Sequence, residues 1–217
     1  MLCKLLGVQH GLTAVIGSGG KTTLLHRLAR ELSAQGRVIL TTTTHILPSA
    51  QFPNLVQPTQ AEIAAALVQS PVVCIGNHTE HGKLCACDLP FSTLLKLADY
   101  VLVEADGSKR LPLKAHAAYE PVIPPETKRT VCVVGAEGFD RPIREVVHRP
   151  EIFCRLTGAT IDAPATPALV AKALAAEHLA DIYYVNQCER PDRRRMAERL
   201  AQELPKPVLI GSLLDES

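Results

Sequence analysis

Tryptophan is absent from this chain, and only four phenylalanines and four tyrosines occur among its 217 residues. Leu, Val, Ile and Ala must therefore build the core. That suits parallel strands buried on both faces and argues against an aromatic-rich β-sandwich. Charge asymmetry is missing too: 23 Lys and Arg against 22 Asp and Glu leave a net charge of +1, with no acidic or basic tail. Bulk charge thus gives no reason to expect nucleic acid or an anionic membrane as a partner. No stretch approaches the ~18 uninterrupted apolar residues of a spanning helix. Residues 1–9 lack the long apolar region and small-residue cleavage site of a signal peptide. Disulfide pairing is not signalled either, because the seven cysteines are odd in number and scattered. Free thiols in a reducing cytoplasm are the expectation. Hydrophobic residues reach 47%, which excludes a disordered chain. At this size about 70% of the unfolded surface is buried on folding, so a single domain over 1–217 is expected.

Short apolar runs alternate with helical patterns, the signature of β-α-β units. Strands are expected at 12–16, 38–41, 72–75, 100–103, 130–134, 182–185 and 208–210. The helix expected at 21–35 places Leu24, Leu25, Leu28 and Leu32 on one face and stops at Gly36. Another is expected at 61–69, with Thr59 as N-cap and Glu62 closing a capping box. Further helices are expected at 92–98, 149–158, 167–179 and 191–204. The polar segment 77–88 reads as a hairpin or an excursion, and 111–125, with four prolines, as an ordered loop. The fold class is α/β: a mostly parallel, doubly wound sheet with helices on both faces. Its ligand should lie beyond the carboxyl ends of the strands.

One such end carries Gly17-Ser18-Gly19-Gly20-Lys21-Thr22-Thr23, directly after the first strand and opening a helix. Glycines let the backbone turn tightly and aim N–H groups at an anion, and the helix N-terminus adds partial positive charge. Lys21 can reach β/γ-phosphates, and the Thr22 hydroxyl can ligate Mg²⁺. The full phosphate-loop motif has an earlier glycine where this chain has Val15, so the loop is a compact form beginning at Gly17. A lysine at a helix start opposes the macrodipole unless an anion sits there.

The apolar run Tyr100-Val101-Leu102-Val103 ends in Glu104-Ala105-Asp106-Gly107. An acid at an inner strand end can hold Mg²⁺ or orient an attacking water. Glu104 is the first choice; Asp106, two residues on, points the same way if the strand continues. An ordinary Asp-Gly turn is the competing reading. Thr41-Thr42-Thr43-Thr44 ends the second strand, where hydroxyl contacts to nucleotide, Mg²⁺ or water compete with a plain β-prone strand. Lys109, Arg110 and Lys114 form either a solvated loop or, with Thr43 and Thr44, a site for a second, anionic ligand. Cys74, His78, His81, Cys85 and Cys87 cluster closely, yet buried structural thiols read better than a metal or selenium site.

Three segments together resemble one family: 15–23 around the glycine loop, 38–45 through the threonines, and 103–114, followed by Tyr119-Glu120-Pro121. They are similar to the YqeC-type proteins, described as selenium-dependent hydroxylase accessory or selenium cofactor biosynthesis proteins. The resemblance implies a cytosolic phosphate-loop protein that uses Mg²⁺ with ATP or GTP. Its implied partners are molybdenum hydroxylases or their cofactor-maturation proteins. Glu104-Ala105-Asp106-Gly107 also resembles the Glu-x-x-Gly element of metallochaperone-type GTPases. Those proteins read guanine with Asn-Lys-x-Asp, and the similarity puts Asn186 and Glu189 at the base, with Gln187 in place of the lysine. A polar loop after a strand explains those residues equally well. The glycine loop and threonine run further resemble the central domain of Mur-type amide ligases.

The expectation is a nucleoside triphosphatase in which Lys21, Glu104 and Asp106 do the chemistry and Thr22, Glu104 and Asp106 hold Mg²⁺. Gly17, Ser18, Gly19, Gly20, Lys21, Thr22 and Thr23 would bind phosphate. An ATP-dependent ligase or kinase acting on a small anion, and a non-catalytic nucleotide-sensing scaffold, are the alternatives.

Overall fold

The computed structural model describes residues 1–79 and 82–214. Its strands are β1 (Gly11–Gly17), β2 (Val38–Thr42), β3 (His45–Ile46), β4 (Asn54–Val56), β5 (Val72–His78), β6 (Leu84–Cys85), β7 (Tyr100–Glu104), β8 (Leu113–Lys114), β9 (Thr127–Gly135), β10 (Val147–His148), β11 (Ile182–Asn186) and β12 (Val208–Ile210). The helices are α1 (Leu2–Leu5), α2 (Lys21–Leu32), α3 (Gln60–Gln69), α4 (Phe91–Leu97), α5 (Ile143–Val146), α6 (Pro150–Thr157), α7 (Pro167–Glu177) and α8 (Pro191–Glu203). The fold is α/β, with mostly parallel strands flanked by helices, as expected. No helix among the described residues is long and apolar enough to cross a membrane.

The chain forms two compact units whose segments interleave. The first comprises Met1–Val15, Thr22–Asp106 and Val122–Arg129. In it β7 lies between β1 and β2, and β2 pairs with β5, all parallel. β4 joins β5 in parallel, whereas β6 runs antiparallel to β5 and β3 antiparallel to β6. The hairpin expected at 77–88 is thus β5 turning into β6; His81 lies outside the described residues. Leu12, Ile39, Val73, Ile75, Val101 and Val103 pack with Ile63 and Leu67 of α3 and Leu94 and Leu97 of α4. The aliphatic strands therefore bury fully, as a parallel sheet requires. On α2, Leu24, Leu25, Leu28 and Leu32 are all buried, which is the face that the periodicity predicts. This helix stops at Leu32 rather than 35, because Ser33 Oγ and Gln35 Nε2 take the carbonyls of Arg30 and Glu31. The Thr59–Glu62 capping box forms as expected.

The second unit comprises Ile16–Lys21, Gly107–Pro121 and Thr130–Ser217. Here β11 lies between β9 and β12, all parallel. The segment 111–125, expected to be loop, contains β8, which pairs in parallel with β10. Two-residue ladders have no periodicity to detect; their partner creates them. Beside this ladder lies a buried ionic group. Lys114 Nζ sits 3.0 Å from Glu120 Oε1 and donates to Gly107 O, and Arg149 Nε donates to Glu120 Oε1 at 2.7 Å. The Lys114 side chain is 1% exposed.

These charges set a pH dependence. Burial lowers the His148 pKa below its ordinary 6.5, and the cations Lys114 and Arg149 lower it further. Burial pushes Glu120 up, but hydrogen bonds and charge from Arg149 and Lys114 outweigh it and leave the carboxyl below 4.5. Both groups bind protons more readily in the unfolded chain, so both contribute stability that is lost as pH falls. Stability is therefore expected to decline below pH 6.5 as His148 begins to titrate, and again below 4.5 with Glu120. Urea denaturation across this range should give a shallower first decline in His148→Gln. An unchanged slope would remove His148 from this account.

Candidate functional site

β1 ends at Gly17, and α2 begins at Lys21. The four residues from Gly17 to Gly20 reverse the chain at the carboxyl end of a buried strand. Gly19 (φ +88) and Gly20 (φ +131) occupy backbone regions that suit glycine. Space demands it too: a Cβ at 19 would collide with the Gly135 backbone, and one at 20 with the Asn186 amide. Ser18 N–H donates to Val133 O at 2.8 Å, which anchors the loop to β9 and removes that group from any ligand. The Gly19 and Gly20 N–H groups donate to no backbone carbonyl among the described residues.

Lys21 is 4% exposed and starts α2, whose first turn has no acidic residue. Its Nζ donates to Gly17 O at 2.8 Å and to Ser108 Oγ at 3.3 Å. The ammonium is thus folded over its own glycine loop at the start of α2, the positive end of the helix dipole. Ser18 Oγ donates to Leu111 O, and Gly135 N–H to Pro112 O at 2.9 Å. The segment after Gly107 is thereby fastened to the glycine loop.

In the first unit Thr22, the residue after Lys21, donates Oγ1 to Glu104 Oε2 at 2.9 Å. Glu104 is 7% exposed and Asp106 fully buried. Thr42 Oγ1 and Thr43 N–H both donate to Glu104 O, at 2.8 and 3.1 Å, so the threonine run fixes the backbone that carries the acid. Ala105 N–H bonds Val15 O at 3.0 Å, which continues the strand pattern past Glu104 towards Asp106. A hydroxyl and a carboxylate oxygen in contact are the hard donors that Mg²⁺ prefers. That ion takes only one or two protein ligands and fills its shell with water and phosphate. The residues present therefore fit Mg²⁺. Thr23 is exposed on the first turn of α2.

Asn186 Nδ2 donates to Gly19 O at 2.8 Å, and its Oδ1 accepts from Leu213 N–H at 3.0 Å. Its amide thus braces the glycine loop against the chain after β12. Glu189 accepts from Ser212 Oγ and lies 3.8 Å from Arg193. Thr43 Oγ1 donates to Val122 O at 2.8 Å, and Thr44 N–H to Thr42 Oγ1 at 2.9 Å. Lys109 and Arg110 are exposed, whereas Lys114 is buried against Glu120. Cys74 is buried in β5 and its thiol is pushed up to about 11 by burial. Among the described residues no group of three or more His, Cys, Asp or Glu could hold a metal ion.

Sequence reasoning overlooked Ser108, Gly135 and the bracing role of Thr42. Only the run of four threonines gave any signal. Gly135 and Ser108 acquire meaning by touching Gly19 and Lys21, far away in the chain.

A sequence profile described as YqeC protein matches residues 13–151, a span that holds the glycine loop, the threonine run and the acidic strand end. A protein of Escherichia coli (strain K12) described as "Uncharacterized protein YqeC" is 36% identical over 168 residues. The match covers 73% of this chain and 66% of that relative, just under two thirds of the relative's length.

Proposed function

This chain belongs to the YqeC protein family, and we propose that it is a Mg²⁺-dependent nucleoside triphosphatase. The observation that carries this reading is the buried Lys21 ammonium, folded over a glycine loop at the start of α2. Lys21 and the Gly19 and Gly20 amides would bind the β- and γ-phosphates, with Thr22 and Thr23 next in the chain. Thr22 and Glu104 would hold Mg²⁺, which neutralises phosphate charge and orients the leaving group when bound. Asp106 is the second acid of that strand end and would accept a hydrogen bond from the attacking water. Phosphoryl transfer depends on the positioning of such groups and on neutralising phosphate charge.

The setting we propose is the maturation of the cofactor of selenium-dependent molybdenum hydroxylases in the cytoplasm, with those enzymes or their maturation proteins as partners. It rests on the resemblance alone. For the base we propose a modest GTP preference read by Glu189, with Asn186 holding the loop beside it. Lys109 and Arg110, exposed on the segment fastened to the glycine loop, are available to an anionic second ligand.

Phosphate release from ATP and GTP, with and without Mg²⁺, tests the proposal. Mg²⁺-dependent release without an acceptor is expected, and GTP should compete better than ATP. Diphosphate formation only with an added small anionic acceptor would instead indicate a ligase or kinase. Binding without turnover would indicate a sensing scaffold.

A further inference from the structure

The residue after the acidic strand end is Gly107, and the turn that follows carries a side chain to Lys21. Ser108 Oγ accepts from Lys21 Nζ at 3.3 Å. As an acceptor the hydroxyl still has a proton of its own, and that proton meets no acceptor among the described residues. An anion oxygen held by the ammonium lies about 2.7–2.9 Å from Nζ, and so within reach of a group that touches the same nitrogen. The polarity matches: lysine donates to serine, and serine donates onward to the anion.

The turn is built to hold Ser108 there. Leu111 N–H closes it on Ser108 O at 3.0 Å. Lys109 (φ +48) and Arg110 (φ +62) occupy its two central positions in the left-handed region, where side chains of this size are uncommon. Lys114 Nζ grips it at Gly107 O, Ser18 Oγ at Leu111 O, and Gly135 N–H at Pro112 O. Three tethers from three parts of the second unit hold a conformation that these residues would not adopt alone.

We infer that Ser108 is a ligand for the terminal phosphoryl group and the residue that distinguishes nucleoside triphosphate from diphosphate. This rests on the nucleotide reading above. In that reading Lys21 and the Gly19 and Gly20 amides take the β- and γ-phosphates, and the turn at 107–112 adds Ser108 as a further donor to the γ-phosphate. Loss of the γ-phosphate leaves Ser108 with Lys21 alone.

The test is calorimetric binding of ATP, ADP, GTP and GDP with Mg²⁺ to the full chain and to Ser108→Ala and Ser108→Thr. Alanine keeps the backbone bond that closes the turn, so thermal unfolding should be unchanged. Triphosphate affinity should fall about tenfold in Ser108→Ala, the loss of one hydrogen bond to a charged group. Diphosphate affinity should stay within about twofold, and Ser108→Thr should keep the difference between the two. Equal losses for both nucleotides, or no loss for either, would overturn the inference while the nucleotide reading stands. A wild-type chain that binds none of the four would overturn both.

Discussion

Lys21→Ala is expected to weaken nucleoside triphosphate binding by about tenfold to a hundredfold, the loss of one or two charge-assisted hydrogen bonds at ~1.5–3 kcal/mol. The ammonium is 4% exposed, so water cannot replace it cheaply at the phosphate. Alanine is the best helix former, so α2 itself should persist. A cation in the first turn also opposes the helix dipole by about 0.3–1 kcal/mol, so its removal partly offsets the lost contacts. Calorimetry and thermal unfolding on the same two samples separate these effects. Equal affinity in mutant and wild type would end the assignment of this loop to phosphate.

Glu104→Gln is the second large expectation. It keeps the shape that accepts from Thr22 Oγ1 and removes the charge that would hold Mg²⁺. Turnover should fall on the order of a hundredfold, about 2.7 kcal/mol of transition-state stabilisation. Nucleotide affinity should change much less, because Lys21 and the glycine amides remain. The amide oxygen can still accept the Thr22 bond, and thermal unfolding of the variant separates lost turnover from lost folding. Asp106→Asn is the companion measurement. Fully buried, Asp106 should affect turnover through the water rather than through Mg²⁺ concentration. Should neither variant alter turnover or its dependence on Mg²⁺, the acidic strand end is a structural feature of β7 and the turn after it.

Much of the fold was legible in one dimension. Leu24, Leu25, Leu28 and Leu32 read as a helical face and are all buried. Thr59 and Glu62 read as a capping box and form one. The strand runs at 12–16, 72–75, 100–103 and 182–185 each appear, extended by a few residues. What escaped was short or distant. β3, β4, β8 and β10 are two or three residues long, and only a partner strand gives them hydrogen bonds. Lys114 reads as a basic residue near a phosphate loop, yet it is buried beside Glu120, because charge type is visible in a sequence and its counter-charge is not. Asn186 shows the same limit. Its position after a strand is readable, but its engagement with Gly19 O and Leu213 N–H is not.

The sequence alone determined the α/β class, the glycine loop between β1 and α2, and the acids that close β7. These depend on spacing between near neighbours: apolar periodicity, glycine where the chain must turn, lysine at a helix start. Tertiary structure alone decided which polar groups meet. Lys21 finds Ser108 across 87 positions, Thr22 finds Glu104 across 82, and Asn186 finds Gly19 across 167. Periodicity reports how one segment faces the core, whereas the pairing of strand ends and turns sets these contacts. A hydroxyl or an amide therefore takes its role from a neighbour that folding brings to it.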